Sequence, residues 1–330
     1  MPRGKPRGIF AEPCEAKDNI PPCGKPQGFL AKKGEKGNNQ MYAQYWNLRE
    51  KPFQNVTDAR FAYLAEQHQE GLARLIYLAK NQKIGGVLIG PYGAGKSMVL
   101  ELLAQNIRTE NNAHYLDISM MPGETMALAR RILNFTGYSG KVNDITEALE
   151  AFQITASNPK NEFPHTVLAI DEAQLIVDTA TWQFLHLLTN ITAPSKNETT
   201  LRNAFTLILC GHTDLTNHLK LYQALAQRMQ LVWKLEPLTE NQTVEYIQQR
   251  IRAAGGDIWI FNDDAMRAIY RAANGLPRLI NNICDTALML GCAGKLQKVT
   301  KEITEQAAAD TQSDLLAANN TPQAEGANHG

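Results

Sequence analysis

The sequence predicts an α/β fold: a core with a parallel sheet between helices, followed by a small all-α lid domain. Three observations predict it. Apolar runs such as "GVLIG", "TVLAID" and "AFTLILCG" recur between helical stretches, as strands buried on both faces do. The first of them runs straight into a glycine-rich turn and an amphipathic stretch. From Thr239 onward the periodicity is helical and no strong strand follows.

Residues 1 to 40, in "MPRGKPRGIF", "IPPCGKPQGF" and "AKKGEKGNNQ", are rich in Pro, Gly and Lys. Such a composition buries too little apolar surface to offset its chain entropy. They are expected to form a disordered basic arm, or an extension ahead of a start at Met41. The core is expected over 41–238. It opens with the helix-like "AEQHQEGLARLIYLAKNQ", then the strand "GVLIG", a helix to about Thr109 and the strand "AHYLDI". Helices follow near Thr125 to Phe135 and Ile145 to Ala156, then the strand "TVLAID" and the helix "DTATWQFLHLLTNI". "TAPSKNETTLRN" reads as a polar loop before the last strong strand, "AFTLILCG".

The lid is expected over 239–310. Thr239 is an N-cap candidate, "RAAGG" a helix stop, and "NDDAMRAIYRAANGLPRLINNICDTALMLGCAG" two or three short helices. Residues 311–330 read as a disordered polar tail.

Composition narrows the classes. Lys+Arg and Asp+Glu are equal at 33 each, so no global basic field points to nucleic acid, although a local strip is compatible with it. No run reaches the roughly 18 to 20 apolar residues of a membrane helix, and no apolar stretch follows the N-terminal basic residues as in a secretory signal. Cys14, Cys23, Cys210, Cys284 and Cys292 lack metal-type spacing and read as reduced thiols of a cytoplasmic protein.

Gly90-Pro91-Tyr92-Gly93-Ala94-Gly95-Lys96-Ser97 fits GxxxxGK[ST], with a strand before and a helix after. The glycines let backbone N–H groups wrap phosphates, and the helix N-terminus adds a favourable dipole. Lys96, a compact mobile charge, is placed to reach the β- and γ-phosphates of ATP, and Ser97 to bind Mg²⁺. In "TVLAIDEAQ" the buried run sets Asp171 at a strand's carboxyl end, where it can hold Mg²⁺ through water. Glu172 beside it can orient and deprotonate an attacking water, which hydrolysis needs and a simple kinase does not.

Two arginines extend the set. Arg228 lies in "ALAQRMQLVWKL" before the last core strand, and Arg278 in "NGLPRLINN" at the start of a lid helix. Each is either a surface arginine or a group that stabilises charge on a transferring phosphoryl. In the second case Arg228 reaches a neighbour's γ-phosphate and Arg278 acts on its own subunit's phosphates.

Together with "YWNLREKPFQNVTDARFAYL", "LHLLTN" and "LAQRMQLVWKLEPLTENQTVEYIQQRIRAAGG", these motifs resemble the ExeA (GspA) family of AAA+ ATPases, from about Met41 to about Ala309. That family was first named for assembly of the type II secretion apparatus, and is similar to the TnsC-type regulators of DNA transposition. The resemblance implies Walker A roles for Lys96 and Ser97, Walker B roles for Asp171 and Glu172, an arginine finger in Arg228 and a sensor 2 in Arg278. His212, in "LCGHTDL", stands at the sensor-1 position where the family usually shows glutamine, and His186 replaces a usual arginine.

Secretion-type members carry a transmembrane segment and a peptidoglycan-binding module after the lid, and neither follows here. The expectation is therefore a cytoplasmic, homo-oligomeric ATP-driven switch associated with duplex DNA and a transposase. A loop with Lys196 and Arg202 lining a ring's pore would suit it. The alternative is an ATPase aiding a secretion or pilus machine through a protein partner.

Overall fold

Three apolar runs make the inner strands of a single parallel sheet. The computed structural model describes residues 41–110, 113–119, 123–157, 165–195 and 200–319. The expected basic arm, Cys14, Cys23 and Lys196 lie outside them.

In chain order the first half comprises α1 (Met41–Tyr45), α2 (Glu66–Lys80), β1 (Gly85–Ile89), α3 (Lys96–Glu110), β2 (His114–Ile118), α4 (Thr125–Phe135), α5 (Ile145–Ser157) and β3 (Thr166–Ile170). Next come α6 (Thr179–Leu188), β4 (Thr192–Pro194), β5 (Leu201–Asn203), β6 (Phe205–Gly211), α7 (Leu215–Leu221), α8 (Gln223–Ala226) and β7 (Leu231–Lys234). The helices α9 (Glu240–Ala253), α10 (Asp263–Ala273), α11 (Pro277–Ala293) and α12 (Lys301–Asn319) follow.

The sheet runs β2-β3-β6-β1-β7, and all its pairings are parallel. Every residue of β1, β3 and β6 is buried, whereas the edge strand β7 alternates half-buried and exposed residues. That contrast is what helices on both faces of a sheet impose. Val87, Leu168, Ile170, Leu207 and Leu209 join α4, α5 and α6 in one core; Leu88, Val167, Ala169, Ile208 and Cys210 join α2 and α3 in another. The register brings the carboxyl ends together: Ile89 pairs with Gly211, and Ile170 with Leu209.

A third core belongs to the lid and draws in the start of the described chain. Tyr42, Trp46, Phe53 and Phe61 pack with Ile247, Phe261, Ile269, Ile283 and Leu288. The Trp46 Nε1–H donates to the Leu288 carbonyl (2.9 Å), and the Tyr42 hydroxyl to Asp285. The segment before α2 thus sits on the helical lid.

Capping sets the lid's helices. Thr239 caps α9 in a capping box with Gln242, as its position suggested, and Pro277 opens α11 where its missing N–H costs nothing. Between α10 and α11, Asn274 (φ +48°) and Gly275 (φ +70°) turn the chain left-handed. A methyl group on Gly275 would run into the Leu238 carbonyl, which accepts no such neighbour because the Leu238 N–H already binds the Gly275 carbonyl at 2.8 Å. Gly275→Ala is expected to destabilise the protein by about 1–3 kcal/mol, from strain at positive φ plus the clash. The urea midpoint measures it, and an unchanged midpoint would remove that strain.

One expectation needs correction. "TAPSKNETTLRN" is no plain loop: β4 and β5 pair antiparallel, Ala193 opposite Arg202. Ala193 is buried and Arg202 half-buried, so packing against the core holds a hairpin that a polar composition hid. The last helix, α12, runs past the expected boundary at 310, to Asn319. "TQSDLLAA" holds no Gly or Pro, so nothing in it stops a helix.

Candidate functional site

The carboxyl ends of the inner strands supply the site. After β1 the turn from Gly90 to Gly95 reverses the chain with Gly93 at φ +79° and Gly95 at φ +98°, conformations open to glycine. The Lys96 side chain, 5% exposed, curls back into this turn: its Nζ donates to the carbonyls of Gly90 (3.0 Å) and Pro91 (3.1 Å). Ala94 is buried beneath the turn and Tyr92 stands out from it, 55% exposed.

Across from α3, the Ser97 hydroxyl donates to Asp171 Oδ2 at 2.8 Å. The Glu172 N–H donates to Asp171 Oδ1 at 2.9 Å, with Glu172 itself at φ +52°. Expected Walker A and Walker B residues therefore meet in space. The Ser97 hydroxyl and the Asp171 carboxylate are hard oxygen donors on facing elements, the donor set that suits Mg²⁺. The turn's backbone amides and Lys96 suit a polyphosphate.

A cleft with room for about 140 Å³ of solvent opens beside the turn, walled by the P-loop, the segment before α2, and the lid. Glu172 and Arg278 both line it. Arg278 sits at the start of α11, where its backbone N–H donates to the Gly93 carbonyl at 3.4 Å. A methyl on Gly93 would lie 2.7 Å from Arg278 Cβ, so the glycine also lets the lid close on the loop. Arg228 is not among the cleft's lining residues. It is half-buried in the turn after α8, and its backbone N–H binds the Leu225 carbonyl at 3.0 Å.

His212 follows β6 and stacks on Tyr92, with centroids 4.6 Å apart and planes 10° apart. Its Nδ1 lies 2.9 Å from Asp214 Oδ2. His186 lies in the last turn of α6 and is not among the cleft's lining residues.

Sequence reasoning missed several residues of the cleft. His68 on α2 is buried, and its Nε2 lies 2.9 Å from the Ala94 carbonyl while Nδ1 has no partner among the described residues. Burial holds its imidazole below the usual range, so the ring is neutral and Nε2–H is the donor. Arg250, 3% exposed, donates to the Tyr246 hydroxyl (2.8 Å) and to Asn281 (2.5 Å), with its guanidinium over the rings of Phe61 and Tyr246. No spacing marks these groups, because they converge from three separate stretches of chain.

Comparison with known proteins bears on the fold and the family. A family model described as "AAA domain" matches residues 80–219. General secretion pathway protein A of Aeromonas hydrophila is 29% identical over 262 residues, covering 78% of this chain. The chain spans 46% of that relative's length. Among solved structures, the ORC2 protein of Aeropyrum pernix superposes with a TM-score of 0.60 at 11% identity, covering 82% of this chain and 74% of that one. Drosophila ORC bound to DNA gives 0.61 at 17% identity over 92% and 74%, and Cdc6p of Pyrobaculum aerophilum 0.61 at 15% over 82% and 74%. The fold is an AAA+ core with a helical C-terminal part, and the chain is similar to General secretion pathway protein A, as its motifs suggested. No described helix is long and apolar enough to cross a membrane.

Proposed function

We propose that this ExeA/GspA-like AAA+ chain binds ATP with Mg²⁺, hydrolyses it to ADP and phosphate, and works as a cytoplasmic oligomeric switch on duplex DNA. The observation that carries the reading is the division of the two arginines. Arg278 lines the cleft of its own chain, whereas Arg228 stands outside it. An arginine that serves phosphoryl transfer from outside its own cleft has to serve a neighbour's.

Within one subunit, Lys96 and the turn's amides bind the phosphates, Ser97 and Asp171 would hold Mg²⁺, and Glu172 takes a proton from water. The metal, when bound, supplies charge neutralisation on the phosphate oxygens. Arg278 adds charge from the lid.

The DNA partner rests on the resemblance to transposition regulators and on the basic character of residues 1 to 40; the solved structures support the fold alone. A second reading, assembly of a secretion machine through a protein partner, is favoured by the kinship with General secretion pathway protein A.

ATP turnover measured with and without duplex DNA separates them. Under the first reading, duplex raises the rate, the rise weakens as salt increases, and Lys96→Ala abolishes it. A rate indifferent to duplex, with no ATP-dependent retention of DNA on a filter, would discard the DNA partner.

A further inference from the structure

We propose that Gln174 is a positioning residue for hydrolysis: it holds Glu172 in its working orientation by tying that carboxylate to the backbone at the end of β6. This rests on the ATPase reading above. Gln174 is buried, 9% exposed, and both ends of its amide are engaged. Its Nε2–H donates to Glu172 Oε2 at 2.5 Å, and its Oε1 accepts the His212 N–H at 2.9 Å. A single side chain therefore joins the turn after β3 to the turn after β6.

Three neighbouring features serve this contact. Gly211 precedes His212, and a methyl there would collide with Gln174 Oε1, so the close approach of amide and backbone requires glycine. Glu172 occupies a left-handed conformation at φ +52°, which the fold must enforce against the residue's own preference. His212 stacks on Tyr92 of the phosphate turn, and so the link continues from Glu172 through Gln174 and His212 to that turn.

Chemistry explains why the residue is glutamine. A neutral amide N–H binds one carboxylate oxygen without protonating it, leaving Oε1 of Glu172 to receive a proton from water. Glutamate would set two carboxylates against each other. Methionine keeps the length and loses both hydrogen bonds.

Gln174→Met and Gln174→Glu test the assignment. Each is expected to lower kcat about 10- to 100-fold, the range expected when a reacting group is misplaced by about 1 Å. KM and the Kd for a fluorescent ATP analogue should stay within about twofold, since the group acts on the reaction and not on binding. In a Glu172→Gln background, Gln174→Met should add less than about twofold, because two residues acting as a unit are not additive. A readout without nucleotide accompanies these: the losses in urea midpoint for Gln174→Met and Glu172→Ala should sum to more than that of the double variant.

Gln174→Glu keeps the acceptor for the His212 N–H, so it separates the lost contact from a lost fold. Wild-type kcat in that variant, additive rate losses, or additive midpoint losses would overturn the proposal. A wild-type protein that does not hydrolyse ATP would instead bring down the ATPase reading, and this assignment with it.

Discussion

Arg228→Ala is expected to bind ATP as the wild type does and to hydrolyse it on the order of 10³-fold more slowly, the loss seen when an arginine finger is removed. The side chain stands in the turn after α8, half-buried, outside the cleft that Arg278 and Lys96 line. Among the described residues it has no carboxylate partner whose loss would unbalance the fold, so the variant should remain folded. If the site is completed by a neighbour, turnover per chain rises with protein concentration. Mixing Arg228→Ala with Lys96→Ala should then restore part of the activity, since the second variant binds no ATP and still presents its arginine. Arg278→Ala should gain nothing from such mixing, because its guanidinium serves the cleft of its own chain. A rate independent of concentration and no recovery in the mixture would make the chain a self-sufficient monomer.

Glu172→Gln should keep ATP affinity and lose turnover by about 10²–10⁴-fold, the usual contribution of a general base. Asp171 and Ser97 are untouched by the change, and their 2.8 Å contact keeps the oxygens proposed for Mg²⁺ together. The substituted amide still offers an oxygen that can accept the Gln174 N–H, so local geometry is preserved while the proton acceptor is lost. Lys96→Ala supplies the contrast, because it removes the cation that the phosphate turn surrounds and should abolish binding itself. Single-turnover hydrolysis and equilibrium binding, measured side by side, distinguish the two. Equal turnover in Glu172→Gln and wild type would take Glu172 out of the chemistry.

What the sequence revealed follows from where information is local. β1, β3 and β6 were legible because burial on both faces makes their residues uniformly apolar, and the phosphate turn because its contacts fall within eight neighbouring residues, Gly90 to Ser97. The β4–β5 hairpin was not: three-residue strands are too short for alternation to show, and their pairing leans on the core behind Ala193. Asp171 and Glu172 stood out as charges ending an apolar run. Gln174, three residues after Asp171, carries no such mark, since its meaning depends on a backbone N–H thirty-eight positions further along. His68 and Arg250 were hidden for the same reason. Each looks like one polar residue of an amphipathic helix until folding sets it in the cleft wall.

The attachment of the segment before α2 to the lid also bears on how the chain is made. Tyr42 and Asp285 are 243 positions apart, and Trp46 and Leu288 are 242. The sheet can close once β7 has emerged, but Trp46 and Phe53 then still lack their apolar surroundings. At synthesis rates of about 5–20 residues per second, the wait from their own synthesis to that of α11 is on the order of 10–50 s. During that interval the earliest part of the described chain offers bare aromatic surface to chaperones and to other nascent copies. A chain stalled between β7 and α11 would therefore carry a finished sheet beside an unpaired segment before α2, prone to aggregate there.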